Sequence, residues 1–169
     1  VLDHSLLIKD GKILDIAGSL PIQGAEVVDA RGMYIVPGYV AMNVYGAKGH
    51  TFNEGTEEAF DIITKSHLQH GATTIFPTLS PTTSDRIIEL DELCSKMMEK
   101  DDTTIKGLHI VSPYLSEDMT KEQYKVKNPD PAEYNIILEK TKCIKRWDAA
   151  PELPGSSVLA KAIKEKGIL

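Results

Sequence analysis

Over the first 38 residues, hydrophobic and polar positions alternate in short runs broken by turn residues, which predicts antiparallel β-structure. Residues 6–8 and 12–16 read as two strands joined at Asp10-Gly11, a strong hairpin signal because the turn needs residues that accept positive φ. Residues 26–29 and 33–36 predict a second hairpin that turns at Ala30-Arg31-Gly32. Nothing helical is expected before Pro37.

After Pro37 the period changes. Tyr39, Val40, Met42 and Val44 form a strand pattern over residues 39–44, closed by a loop from Gly46 to Gly49. Residues 56–71 predict a helix that starts at the N-cap Thr56 and stops at Gly71. A strand follows from Thr73 to Leu79. Ile87, Leu90, Leu93, Cys94 and Met97 then share one helical face, with Ser84 as the expected N-cap. Further strands are predicted over 105–111 and 143–149, and further helices over 131–140 and 156–166. Strands alternating with helices indicate a parallel sheet with crossover helices. Pattern alone leaves both a doubly wound sheet and a (β/α)8 barrel open. No Gly-x-Gly-x-x-Gly follows any strand, which argues against the nucleotide-binding version.

Composition narrows the function. The chain has 169 residues, of which 41% are hydrophobic and 26% charged, enough for an ordinary globular core. A formal net charge of −6 argues against a nucleic-acid partner, since phosphate neutralisation needs clustered cations. Lys125, Lys127, Lys142, Lys145 and Arg146 are interleaved with Asp130 and Glu139 and read as a solvated surface. No apolar run approaches the roughly 20 residues of a membrane span, and the first residues lack a signal-peptide pattern, so a cytoplasmic protein is expected. Cys94 and Cys143 read as buried free thiols rather than a disulfide or a metal pair.

Several segments together resemble N-acetylglucosamine-6-phosphate deacetylases of the amidohydrolase superfamily: "VVDARGMYIVPGYV", the βα unit after it, "GLHIVSPYL", "KNPDPAEY" and "CIKRWDAAPELPG". The resemblance runs over nearly the whole chain in the order of the family's N-terminal part. It implies a metal-dependent (β/α)8 barrel flanked by a small β-sandwich, removing an acetyl group from a phosphorylated amino sugar. The fold expected for this chain is therefore α/β: a partial (β/α) TIM-barrel-like parallel sheet preceded by a small antiparallel β segment. Residues 1–38 would form the sandwich-like segment, and residues 39–169 about four βα units of a barrel that takes roughly 250 residues when complete. A fifth strand would begin at Ile168-Leu169.

The resemblance also sets the site expectations. Where the superfamily's first barrel strand often reads Asp-x-His-x-His, this chain has Ala41, Asn43 and Tyr45, although family members vary at the two histidines. Where the family reads His-[Leu/Ile]-Glu-Gly-Pro, with the glutamate binding the essential metal, this chain has His109, Ile110, Val111, Ser112 and Pro113. Val111 offers no donor atom to a cation. Ser112 adds a side chain where the family has glycine, and the following loop, residues 116–129, contains no glycine. The family's remaining histidine ligands and its proton-transferring aspartate have no counterpart in these residues. No cofactor is expected for this chain, whereas the family uses a divalent metal, zinc or iron.

Asn43, Tyr45, His109 and Glu152 are the candidate substrate-binding residues, Asn43 and Tyr45 foremost; His109 has a plainer reading as a packed strand histidine and Glu152 as a solvated loop residue. Asp148 and Glu152 fall where the fourth strand ends, the side on which parallel sheets place their chemistry, but loop capping accounts for both. His67 and His70 have chelating i, i+3 spacing but no third ligand nearby, and Trp147 reads as a core anchor rather than a sugar platform. The expected function is that of a deacetylase-like protein without catalysis of its own. The alternatives are a sugar-phosphate-binding module and an oligomeric interaction module. An amino-sugar phosphate and further copies of the chain are the expected partners, with no nucleic acid and no membrane.

Overall fold

The computed structural model describes residues 3–111, 113–117 and 126–169. The chain divides into two compact units, Val1–Pro37 and Gly38–Leu169. In the first, β1 (Ser5–Lys9) pairs antiparallel with β2 (Lys12–Ala17), and a bulge falls between Leu7 and Ile8. The turn is the one the sequence requires: Asp10 and Gly11 both have positive φ, 50° and 72°, a geometry whose twist matches that of the strands.

The second hairpin is not formed. The turn itself exists, with the Met33 amide donating to the Ala30 carbonyl at 3.0 Å and Asp29 accepting from the Arg31 amide and guanidinium. No ladder extends from it. Val27, Val28, Tyr34 and Ile35 stay exposed, and Asp29, Arg31 and the Ala30 carbonyl hold a turn without strands to either side of it.

The second unit opens with β3 (Tyr39–Val44), followed by a small antiparallel ribbon of β4 (Gly46–Ala47) and β5 (His50–Thr51) and then by α1 (Glu57–Gln69). The chain returns through β6 (Ala72–Leu79), α2 (Ser84–Met98), β7 (Leu108–Ile110), α3 (Pro131–Lys140) and β8 (Ile144–Trp147), and α4 (Ser156–Glu165) comes last. Four of these strands form one parallel sheet in the order β3-β6-β7-β8, with α1, α2 and α3 as the crossovers. Among the described residues, no helix is long and apolar enough to cross a membrane.

Local signals explain these elements. Thr56 caps α1 by accepting from the Ala59 amide, and Asp130 caps α3 by accepting from the Ala132 amide, with Pro131 in the first turn where its missing N–H costs nothing. The cap of α2 is Thr83 rather than Ser84: its hydroxyl accepts from Arg86, and Ser84 is the first helical residue. The third sheet strand is shorter than the pattern over 105–111 predicts. Ile105 makes one isolated bridge to Ile75, and regular pairing resumes only at Leu108. Gly38 is fixed by close approach, since a Cβ there would lie 2.0 Å from the Thr73 hydroxyl oxygen.

One face of the sheet carries Ile75, Leu79, Leu108 and Ile110, all fully buried against Phe60 and Ile63 of α1, Ile87, Leu90 and Cys94 of α2, and Ile137 of α3. Each such aliphatic contributes about 1.5–3 kcal/mol by leaving water. Beyond β8, the Leu169 amide donates to the Lys145 carbonyl at 3.0 Å and its carbonyl accepts from the Trp147 amide at 2.8 Å, so a fifth parallel position begins at Leu169.

Candidate functional site

Parallel register determines which side chains share the face opposite the helices. Thr78 lies beside His109, and His109 beside Arg146, so the three project from one side of β6, β7 and β8. They are joined by polar contacts that run across all four strands. The Val44 amide of β3 donates to Thr78 Oγ1 at 2.9 Å, and Thr78 Oγ1 lies 3.1 Å from His109 Nδ1. His109 Nε2 faces Asp148 Oδ2 at 3.0 Å without the alignment of a hydrogen bond. Arg146 grips that carboxylate from its other side, with Nε donating to Oδ1 at 2.9 Å and Nη2 to Oδ2 at 3.3 Å.

The Thr78 hydroxyl also donates to the Phe76 carbonyl at 3.2 Å, so it stands at the centre of this chain of contacts. Burial pushes the His109 pKa below its ordinary value, opposed by Asp148 and the Met42 carbonyl and reinforced by Arg146. His109 is 1% exposed, so its ring serves this internal chain rather than an open cleft.

The loops at the strand exits are fastened in the same way. Asn53 exchanges two hydrogen bonds with the Ser80 backbone, tying the turn after β5 to the end of β6. Glu133 accepts from Tyr114 Oη at 2.8 Å, from Lys127 Nζ at 2.6 Å and from the Ser84 hydroxyl, linking the segment after β7 to α2 and α3. Burial acts to raise the Glu133 pKa, but its donors outweigh it and hold the carboxyl below its usual value. Tyr114 stacks on Trp147 with ring centroids 6.2 Å apart, which makes the tryptophan a packing anchor.

The structure separates the remaining candidates. Asn43 and Tyr45 are exposed at the exit of β3, and Glu152 is exposed in the turn after β8. His67 and His70 do not converge, because His67 Nε2 points to the Gly46 carbonyl at 3.4 Å while His70 ends α1 in solvent. Gly46 and Gly49 belong to the β4–β5 ribbon, where Lys48 and Gly49 turn with φ of 55° and 84°. Ser112 and residues 118–125 of the glycine-free loop lie outside the described residues. A cavity of about 290 Å³ lies elsewhere, lined by Asp61, Lys65, Leu68, Met97, Lys100 and Thr104, before β7 rather than at the strand exits.

A divalent metal does not fit this donor set. Val111 is a buried hydrocarbon, and His109 lies between Thr78 at Nδ1 and the Asp148 carboxylate at Nε2. Among the described residues, no group of three histidine, cysteine or acidic side chains is arranged to hold an ion. Thr78 and Arg146 are the site residues that sequence reasoning did not find. Their signal is register, which places them beside His109 and is invisible until the strands are paired.

No protein-family model matches the chain. N-acetylglucosamine-6-phosphate deacetylase from Lysinibacillus sphaericus is 24% identical over 175 residues, covering 96% of this chain and 43% of the relative. The crystal structure of N-acetylglucosamine-6-phosphate deacetylase from Pasteurella multocida superposes with a TM-score of 0.88 at 21% identity, over 100% of this chain and 45% of that one. The Mycobacterium smegmatis deacetylase in complex with N-acetyl-D-glucosamine-6-phosphate gives a TM-score of 0.82 at 21% identity, over 97% and 43%. The chain thus spans less than half the length of the proteins it matches. In sequence and in fold, this partial parallel barrel is similar to the N-terminal part of N-acetylglucosamine-6-phosphate deacetylase.

Proposed function

We propose that this chain is a deacetylase-like module that does not deacetylate by itself, its strand-exit face being held by an internal ion cluster where the family it resembles places a metal. Val111 carries this reading. It stands in the family's metal-ligand position, and the neighbouring His109 is engaged by Thr78 and Asp148. Metal-assisted amide hydrolysis needs a cation-bound water and a group to move its proton, so a site without a ligand shell gives neither.

The residues left to meet a ligand are Asn43, Tyr45 and Glu152, with His109 as support behind them. Exposed amide, phenol and carboxylate groups at strand exits suit the hydroxyls of an amino-sugar phosphate, the ligand of the M. smegmatis relative. Elemental analysis and acetate release from N-acetylglucosamine-6-phosphate test the proposal on the chain and on Val111→Glu. Neither protein should hold stoichiometric metal or turn over, because one added carboxylate does not complete a ligand shell. Stoichiometric zinc or iron with turnover in the unmodified chain would refute it.

A further inference from the structure

The polar chain across the sheet is closed at one end and open at the other. Thr78 and His109 are buried, whereas the side chains of Arg146 and Asp148 are 37% and 38% exposed. Arg146 meets the Asp148 carboxylate side-on, since the groups that donate to it, Nε at 2.9 Å and Nη2 at 3.3 Å, share one edge of the guanidinium. The end of the fork, formed by Nη1 and the outer proton of Nη2, is left over. Nη1 has no partner among the described residues, and it is not one of their buried unpaired atoms, which are Thr104 Oγ1, His109 Nε2 and Trp147 Nε1, so it meets solvent.

We propose that the free fork of Arg146 binds the phosphate of a ligand at the strand-exit face, through two parallel hydrogen bonds to its oxygens. The inference rests on the reading of that face as a site for an amino-sugar phosphate, and it adds what that reading lacks, a cation. Asn43 and Tyr45 are neutral side chains and Asp148 and Glu152 are acidic, so these groups suit hydroxyls and leave a phosphate dianion without a partner. Arg146 supplies the missing charge, and its planar fork matches two phosphate oxygens where a lysine would offer a point charge. It stands at the penultimate position of β8, on the side where parallel barrels hold their ligands. Asp148 has two opposed effects. Its charge reduces the pull on an anion, but it also fixes the guanidinium from behind, and it is itself fixed, its amide donating to the Ile110 carbonyl at 2.9 Å. Little side-chain freedom is therefore lost when a ligand closes on the fork.

The test is calorimetric titration of the full chain with N-acetylglucosamine-6-phosphate, with N-acetylglucosamine and with inorganic phosphate, repeated on Arg146→Gln and Arg146→Lys. The phosphorylated sugar should bind about tenfold or more tightly than the sugar alone, the worth of hydrogen bonds to charged groups. Arg146→Gln should abolish that preference and leave the affinity for the unphosphorylated sugar unchanged, while Arg146→Lys should keep only part of the preference. Equal affinity for the two sugars in the unmodified chain would overturn the inference. So would a preference for the phosphorylated sugar that survives in Arg146→Gln, or an unmodified chain that binds neither the sugar phosphate nor inorganic phosphate. Inorganic phosphate held by the unmodified chain and lost in Arg146→Gln, with neither sugar bound, would support the fork and refute the sugar reading, so the two fail separately.

Discussion

Replacing Thr78 by Val tests whether the polar chain across the sheet holds the site together. The substitution keeps the branched shape and removes one hydroxyl. That oxygen accepts from the buried Val44 amide at 2.9 Å and lies 3.1 Å from His109 Nδ1, so both groups lose their partner inside the fold. A buried polar group left unpaired costs about 1–3 kcal/mol, so two of them should lower the unfolding free energy by about 2–6 kcal/mol. At a denaturant slope of about 2 kcal/mol per M, the urea midpoint should fall by about 1–3 M. Trp147 is the sole tryptophan and is 3% exposed beside this network, so its fluorescence reports the transition directly. In a His109→Leu background the same change should cost about 1 kcal/mol less, because the His109 partner is already gone. A midpoint that moves by less than about 0.3 M in the otherwise unmodified chain would refute the reasoning, since no buried pair at the site would then depend on the hydroxyl.

Two further outcomes are expected. Because its donors hold the folded Glu133 carboxyl below the value of 4.5 it has when unperturbed, the stability it supplies is complete above about pH 4.5 and is lost as pH falls below it; Glu133→Gln should flatten that acid limb in thermal melts, and an unchanged limb would contradict the assignment. The outer edge of β3 pairs with no strand among the described residues and exposes Tyr39 at 65% and Val40 at 59%, so the chain should self-associate in sedimentation runs and Val40→Lys should weaken the association; a monomer at high concentration would sink this expectation.

Much of the second unit was legible because its signals are local. Thr56 and Gly71 mark helix ends through groups within a few residues of one another, and the alternation of strand and helix implies a parallel sheet. The second hairpin shows where local signals fail. Residues 26–29 and 33–36 have the apolar content of strands and a formed turn, but β-propensity reports fit to a pleated neighbour and does not by itself make a ladder.

Residue chemistry over a turn or two of chain is enough to set the alternation of sheet strands and crossover helices, the cap Thr56, the Asp10-Gly11 turn and the hydrocarbon at Val111, so all of these can be read without coordinates. Which polar groups meet is settled at longer range. Thr78, His109 and Arg146 are 31 and 37 residues apart along the chain, and only the pairing of β6, β7 and β8 makes them neighbours on one face. The same pairing fixes what His109 meets. Burial and the approach of Thr78 and Asp148 to its two ring nitrogens come from three separate stretches of chain, and no pattern along any one of them announces the contact.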